Sequence, residues 1–270
     1  MILIFDTNGG LCNQFYDIAN GINFCLKYNI HFTFRYCGLR NDNLITWTEI
    51  PIEKLFNLDF LNKYKLYINY YNIKDKLTGR NCYNLNNKVL SFEFLNKNNI
   101  YEQLQNLNKK YIVLKQFWSL YQCQNFIDNS IYINLSPSPD IYKIYLETKN
   151  KIIGNQPYNF IHYRYEKDFT NYFKIDIESL DNIIKKIKFN NNKIKIFIAT
   201  TKINNLLNID DIQYKNLIYN NNKNFNFEQN AFIDYMFGIN SVQCFGHSKS
   251  SFSRMINELK QSNNYYDNLS

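Results

Sequence analysis

Residues 2–36 constrain the fold more than any other stretch. "ILIFD" (2–6) is a short apolar run suited to a buried strand, and "TNGGLCNQ" (7–14) is a glycine-bearing turn. Phe15, Ile18, Ala19, Ile22, Cys25 and Leu26 then recur at helical spacing, and "HFTFRY" (31–36) alternates like a strand. A strand, a glycine loop, a helix and a second strand in that order form the opening unit of an α/β sheet.

The second half repeats the alternation. "YNFIHYRY" (158–165), "KIKIFIAT" (193–200) and "VQCFGH" (242–247) read as strands. Helical patterns lie between and after them at 177–189, 203–209, 225–239 and 248–260. Such order implies parallel βαβ units, in which ligands bind beyond the carboxyl ends of the strands. "YIVLKQ" (111–116) is a further strand, whereas 40–110 shows only a weak helical pattern near 51–65 and no clean strand. "NLSPSPD" (134–140) holds two of the four prolines and precedes a helical pattern at 140–152. The boundary expected there divides the 270 residues into two domains, 1–150 and 151–270. No repeat of solenoid period is present.

The formal charge is +8 and the pI near 9.0, which invites a nucleic-acid reading. The basic residues are scattered, however, with no Lys/Arg block longer than a pair, and the Lys, Asn, Ile, Tyr and Phe excess matches AT-rich coding. No nucleic-acid partner is expected; the modest positive field suits an anionic ligand such as a nucleotide diphosphate. None of the six cysteines is in C-x-x-C spacing, so neither a zinc ribbon nor a redox pair is indicated. The first apolar run is too short for a signal peptide and no segment reaches membrane-spanning length. A cytoplasmic protein with reduced thiols and no integral membrane segment is expected.

Three stretches carry chemistry. In "GHSKSSFSRM" a strand ends, serines cluster and a helix begins, so unpaired N–H groups and Ser hydroxyls at Ser248, Ser250 and Ser251 can meet an anion; Ser250 or Ser251 can equally serve as a plain N-cap. In "NGGLCNQ", Gly9-Gly10 permits a sharp turn or close backbone approach to a ligand, without a dinucleotide fingerprint or Walker lysine. In "NFIHYRYEKDF", His162, Arg164, Glu166 and Asp168 alternate, which on an extended segment places all four on one face. Arg164 offers a rigid fork of donors suited to a diphosphate; the alternative is a surface ladder of salt bridges.

"GGLCNQFYDIANGINFCLKYN" resembles the N-terminal G-G-x-G-N-Q segment of the fucosyltransferase superfamily, which spans α1,2/α1,6-fucosyltransferases and protein O-fucosyltransferases. "HYRYEKDF" resembles its H-x-R-x-x-x-D motif, and "GHSKSSFSRMINELK" its C-terminal Ser-Ser-Phe-Ser segment. Cys12 stands where the family has the third glycine, and Thr201 where an Asp often ends the preceding strand. The resemblance implies a GT-B fold, two Rossmann-like domains facing a cleft. It implies an inverting, metal-independent transfer of L-fucose from GDP-fucose, without cofactor, to a glycan or protein hydroxyl. By the same resemblance Arg164 meets the β-phosphate, and His162, Thr201, His247, Ser248, Ser250, Ser251 and Phe252 line the nucleotide pocket. Gly9, Gly10 and Asn13 serve the donor from the first domain, and Asp168 holds the Arg loop.

Glu166 and Asp168 are the first candidates for the general base, with Asp6 and Asp17 behind them. Two other readings keep the scaffold: a rhamnosyl- or other deoxysugar transferase using another nucleotide sugar, and a binding protein without turnover.

Overall fold

A computed structural model describes residues 1–40, 46–77, 82–85, 99–117, 127–128, 130–165, 167–187, 194–200, 217–219 and 226–268. Two compact units result: Met1–Asp140 with Asn226–Glu228, and Ile141–Phe225 with Gln229–Ser270.

The first unit opens on β1 (Ile2–Thr7), α1 (Leu11–Tyr28) and β2 (His31–Arg40). Its sheet continues with β3 (Trp47–Pro51), then β5 (Cys82–Leu85) and β6 (Tyr111–Lys115), in the order β3-β2-β1-β6-β5. A two-residue strand β4 (Phe56–Asn57) pairs separately with β7 (Ser136–Pro137). Short helices α2 (Ile100–Asn106) and α3 (Ile131–Asn134) complete the unit. All pairs of the five-stranded sheet are parallel except β2–β3, and the separate β4–β7 pair is antiparallel. That antiparallel pairing, from Tyr36 opposite Pro51 to Arg40 opposite Trp47, carries β2 four residues beyond the alternating "HFTFRY". Leu3, Ile4 and Phe5 of β1 and Phe15, Ile18 and Ile22 of α1 are all buried, Ile4 in a cluster with Ile73, Tyr111 and Val113. Gly21 lets the helix settle on the sheet, since a Cβ there would stand 3.2 Å from the Phe5 ring. The weak helical pattern near 51–65 resolves into two 3₁₀ turns, Ile52–Lys54 and Asp59–Lys63, each anchored by one buried residue, Ile52 or Leu61. One anchor per turn is too little apolar face for a longer helix.

The unit boundary falls at Asp140, ten residues before position 150. The reason is α4 (Pro139–Ile152), which buries Ile141 and Tyr145 in the second unit, Tyr145 lying edge-on to Phe237 at 5.1 Å.

Among the described residues the second unit holds four parallel strands, β8 (Tyr158–His162), β9 (Lys195–Ala199), β10 (Leu217–Tyr219) and β11 (Cys244–Phe245), in the order β10-β9-β8-β11. Helices α5 (Lys167–Phe173), α6 (Leu180–Lys186), α7 (Phe227–Ile239) and α8 (Ser251–Leu259) lie between and after them. Neighbours in β8 serve opposite faces. Phe160 stacks on Phe197, which stacks on Phe237 of α7 at 4.1 Å, while Ile161 joins Leu180, Ile183, Ile187, Ile198 and Tyr266. Each fully buried Phe contributes about 1.5–3 kcal/mol. α6 is shorter than its pattern over 177–189, because Ser179 accepts from the Asn182 N–H and starts the helix there, while Ile177 packs on the same cluster from outside it. The helix expected over 203–209 lies outside the described residues.

The winding runs outward from β8 through β9 to β10, then returns to β11 on the other side of β8. The strand order therefore reverses between β8 and β11, and the carboxyl ends of these two strands flank the point where such sheets bind ligands.

Candidate functional site

His162 closes β8, and Tyr163–Tyr165 leave it as an irregular segment. The alternating pattern outlasts the strand. Arg164 lies in the segment after β8, Asp168 lies in α5, and Glu166 is outside the described residues, so the expected single extended face does not exist. Tyr163 makes the last sheet bond, its N–H donating to the Ala199 carbonyl at 2.9 Å, and its buried ring joins the Ile161 cluster. Two aromatic residues of α5, Phe169 and Phe173, pack edge-to-face at 5.1 Å and supply an apolar reason for a helix there.

At the reversal point the chemistry converges. The Arg164 guanidinium lies over the Phe169 ring at 5.0 Å, and Phe169 meets the His247 ring edge-on at 5.3 Å. His162 Nδ1 lies 2.8 Å from Ser253 Oγ, and its ring packs on Phe252 at 4.5 Å. Ser250 is the N-cap of α8: its Oγ accepts from the Ser253 N–H at 3.5 Å. Gly246 makes room for this arrangement, because a Cβ there would collide with the Ser253 side chain. His162, Arg164, His247, Ser248, Ser250, Ser251 and Phe252 thus lie together at the carboxyl edge of the second unit's sheet. Thr200 follows β9 directly, with a buried Oγ1 that has no hydrogen-bond partner, while Thr201 is outside the described residues.

Both histidines are held neutral. Burial first, then the positive Arg164 and neighbouring His247, push His162 down to about 3. Burial lowers His247 as well, Asp267 opposing and Lys249 adding to the shift. The Lys249 N–H donates to His247 Nδ1 at 3.1 Å, which leaves that nitrogen unprotonated, so the 3.7 Å approach of Asp267 is not an ion pair. The edge therefore offers the Arg164 guanidinium, with Lys249 in the adjoining loop, amid neutral donors and a helix N-terminus, a combination suited to a phosphate ester.

The glycine loop of the first unit is a separate, tightly tied structure. Gly9 adopts φ +92°, which favours glycine. Its N–H donates to Asn8 Oδ1 at 2.8 Å, and the Asn8 N–H donates to Asp17 Oδ2 at 3.1 Å. Fully buried Gln14 donates to the Gly9 and Gly38 carbonyls at 2.9 and 2.7 Å and accepts from Thr7 Oγ1. Asn13 lies against Gly9, and Gly10 starts α1 with no side-chain cap. Cys12, in place of a glycine, is accommodated as a buried residue of the first turn. Asp6 and Asp17 are engaged structurally: Asp6 accepts from Arg35 Nε and Nη2 at 2.9 and 2.5 Å, and Asp17 anchors the loop. That removes the reason to read either as a general base. Sequence spacing did not single out Gln14, Arg40, Phe169, Ser253 or Asp267. Of these, Gln14, Phe169 and Ser253 stand inside quoted motifs, and Arg40 and Asp267 do not. Arg40 stacks on Phe227 at 3.9 Å and donates through Nε to fully buried Glu228 at 2.6 Å, beside Gly10.

Among the described residues no group of three His, Cys, Asp or Glu side chains is placed to hold a metal ion, and no helix is long and apolar enough to cross a membrane. Cys12, Cys25, Cys37 and Cys244 are buried thiols outside any disulfide.

No family model and no curated protein sequence matches the chain. Solved structures do. The crystal structure of POFUT1 in complex with GDP-fucose superposes with a TM-score of 0.70 at 12% identity, over 97% of this chain and 94% of that one. The NodZ alpha-1,6-fucosyltransferase co-crystallised with GDP gives 0.59 at 12% identity, over 96% and 92%. The fucosyltransferase NodZ from Bradyrhizobium gives 0.59 at 11% identity, over 96% and 93%. The chain has the GT-B fold of these fucosyltransferases. It spans nearly their whole length, so both Rossmann-like units are present in 270 residues.

Proposed function

We propose that this protein is an inverting, metal-independent glycosyltransferase that moves L-fucose from GDP-fucose to a hydroxyl of a glycan or protein. One observation carries the reading. Arg164, two neutral histidines and the serine-capped start of α8 meet at the strand-order reversal of the second unit, in a fold shared with structures that hold GDP and GDP-fucose.

Breaking the bond between the sugar C1 and the diphosphate builds negative charge on the β-phosphate oxygens. Preorganised donors aimed at that charge lower the barrier. Arg164 is the donor with a planar fork suited to a diphosphate, and Phe169 lies against its guanidinium. Ser250, Ser251 and the first N–H groups of α8 supply neutral donors, and Phe252 an apolar wall. His162, held neutral, is bonded through Nδ1 to Ser253 Oγ and donates from Nε2 in the tautomer in which the serine hydroxyl donates to Nδ1. Glu166 and Asp168, two and four residues after Arg164 in sequence, are the carboxylates proposed to orient it or to take the acceptor proton. Thr200, which follows β9, and Thr201, next to it in sequence, are the residues proposed to meet the nucleoside.

A nucleotide panel tests the reading. In thermal melts without added metal, GDP should raise the melting temperature in a concentration-dependent way and UDP should not. Stabilisation by UDP alone would move the donor to a different deoxysugar nucleotide, and stabilisation by neither would leave a scaffold without this activity.

A further inference from the structure

The serine loop has a tie that the transfer chemistry does not use. After α8 the chain turns back, with the Ser262 N–H donating to the Asn257 carbonyl at 2.8 Å and Asn257 Nδ2 donating to the Asn264 carbonyl at 3.2 Å. Tyr265 then bridges Gly246 in parallel, and the Tyr266 N–H donates to the Gly246 carbonyl at 3.0 Å. Residues 265–267 thereby run along the outer side of β11, and the parallel direction delivers Asp267 to the carboxyl edge of the sheet. Tyr266, 3% exposed, anchors the segment with its ring edge-on to His247 at 5.6 Å. The Asp267 carboxylate accepts from both donors of one residue, the Ser248 N–H at 2.8 Å and the Ser248 Oγ–H at 2.5 Å.

We propose that Asp267 is a positioning residue for the donor diphosphate: it acts through Ser248 and sets the His247–Ser250 backbone that meets the phosphates. The inference rests on the nucleotide-sugar reading above. Two bonds to one residue fix its backbone orientation and its hydroxyl rotamer together. The loop so fixed contains His247, whose carbonyl accepts the Ser250 N–H at 3.0 Å, and Ser250, which caps α8. One tie at the edge therefore sets the direction of several donors. A carboxylate so close to an anion site repels a diphosphate, and that cost is offset only if the order it imposes is worth more.

The test is titration of GDP into the full chain and the variants Asp267→Ala, Asp267→Asn and Ser248→Ala, with GDP-fucose kinetics alongside. Asp267→Ala should weaken GDP by about tenfold or more and raise KM, since small misplacements of binding groups cost up to about a hundredfold. Asp267→Asn, which keeps an acceptor and the shape, should restore most of the affinity even though the charge is gone. The double variant Asp267→Ala/Ser248→Ala should bind no worse than the weaker single one, because both act through one tie. Tighter GDP binding in both Asp267 variants would make the carboxylate a competitor of the phosphate and overturn the proposal, as would unchanged binding in the Ala variant. Failure of the unmodified chain to bind GDP would instead strike the nucleotide-sugar reading itself. If Asp267→Ala does not fold, the Asn variant and Ser248→Ala carry the comparison.

Discussion

Arg164 and His162 sit two residues apart and do different work. Arg164 leaves β8 for the segment before α5 and is braced by the face of Phe169. Arg164→Ala should lower kcat by about 10²–10³-fold, the loss typical of one charge-stabilising donor, and Arg164→Lys should recover little because the planar fork is gone. Steady-state kinetics on the two variants, with GDP affinity measured in parallel, checks this. His162 makes itself felt through pH. Its folded pKa of about 3 lies below its ordinary 6.5, so between those values the unfolded chain binds the extra proton. The stability gained by keeping it neutral is complete above about 6.5 and is lost as pH falls toward 3, with a slope of at most about 1.4 kcal/mol per pH unit. Urea melts from pH 7 to pH 4 should show a shallower decline for His162→Asn than for the unmodified chain; parallel declines would mean that His162 is not held neutral.

Individual elements differ in how far they could be read in advance. β1, α1, β6, β8, β9, α7 and α8 were legible because each buries a periodic set of apolar residues, such as Phe15, Ile18 and Ile22 on α1. β3 was not, since three of its first residues, Trp47, Thr48 and Glu49, are exposed and only backbone pairing with β2 makes it a strand. The 3₁₀ turns after it each rest on a single buried side chain and leave no period to find. "HYRYEKD" misled in the opposite direction, keeping its alternation across a strand end, an irregular segment and a helix start. The strand-to-helix passage through Gly246 is the element on which the site depends most. Gly246→Ala should destabilise the protein by about 1–3 kcal/mol through overpacking against buried Ser253, and should disturb the His162–Ser253 bond. A lowered melting temperature together with weakened GDP binding is expected; a silent substitution would mean that the loop has slack.

At the scale of the whole molecule, two Rossmann-like units with the GT-B fold are built with almost no sequence identity to the structures they resemble, about 12%. The aromatic cores explain how. Phe160, Phe197 and Phe237 in one unit, and Phe5, Phe34 and Phe117 in the other, fill the space between sheet and helices with rings in contact. Cores of this kind tolerate wide substitution as long as volume and pattern persist. Phe197→Ala should therefore cost about 3–5 kcal/mol in chemical denaturation without altering which nucleotide binds. The site was partly legible, through "HYRYEKDF" and "SSFS", because helix capping and anion binding both favour serine at a strand-to-helix turn. Asp267 was not, since a contact made across 19 residues by one returning segment leaves no local pattern. The most direct measurement is the release of GDP from GDP-fucose, followed by mass spectrometry with the unmodified chain and with Arg164→Ala. GDP and free or transferred fucose should accumulate with the former and not with the latter. Intact GDP-fucose in both reactions, or equal turnover in both, would contradict the account.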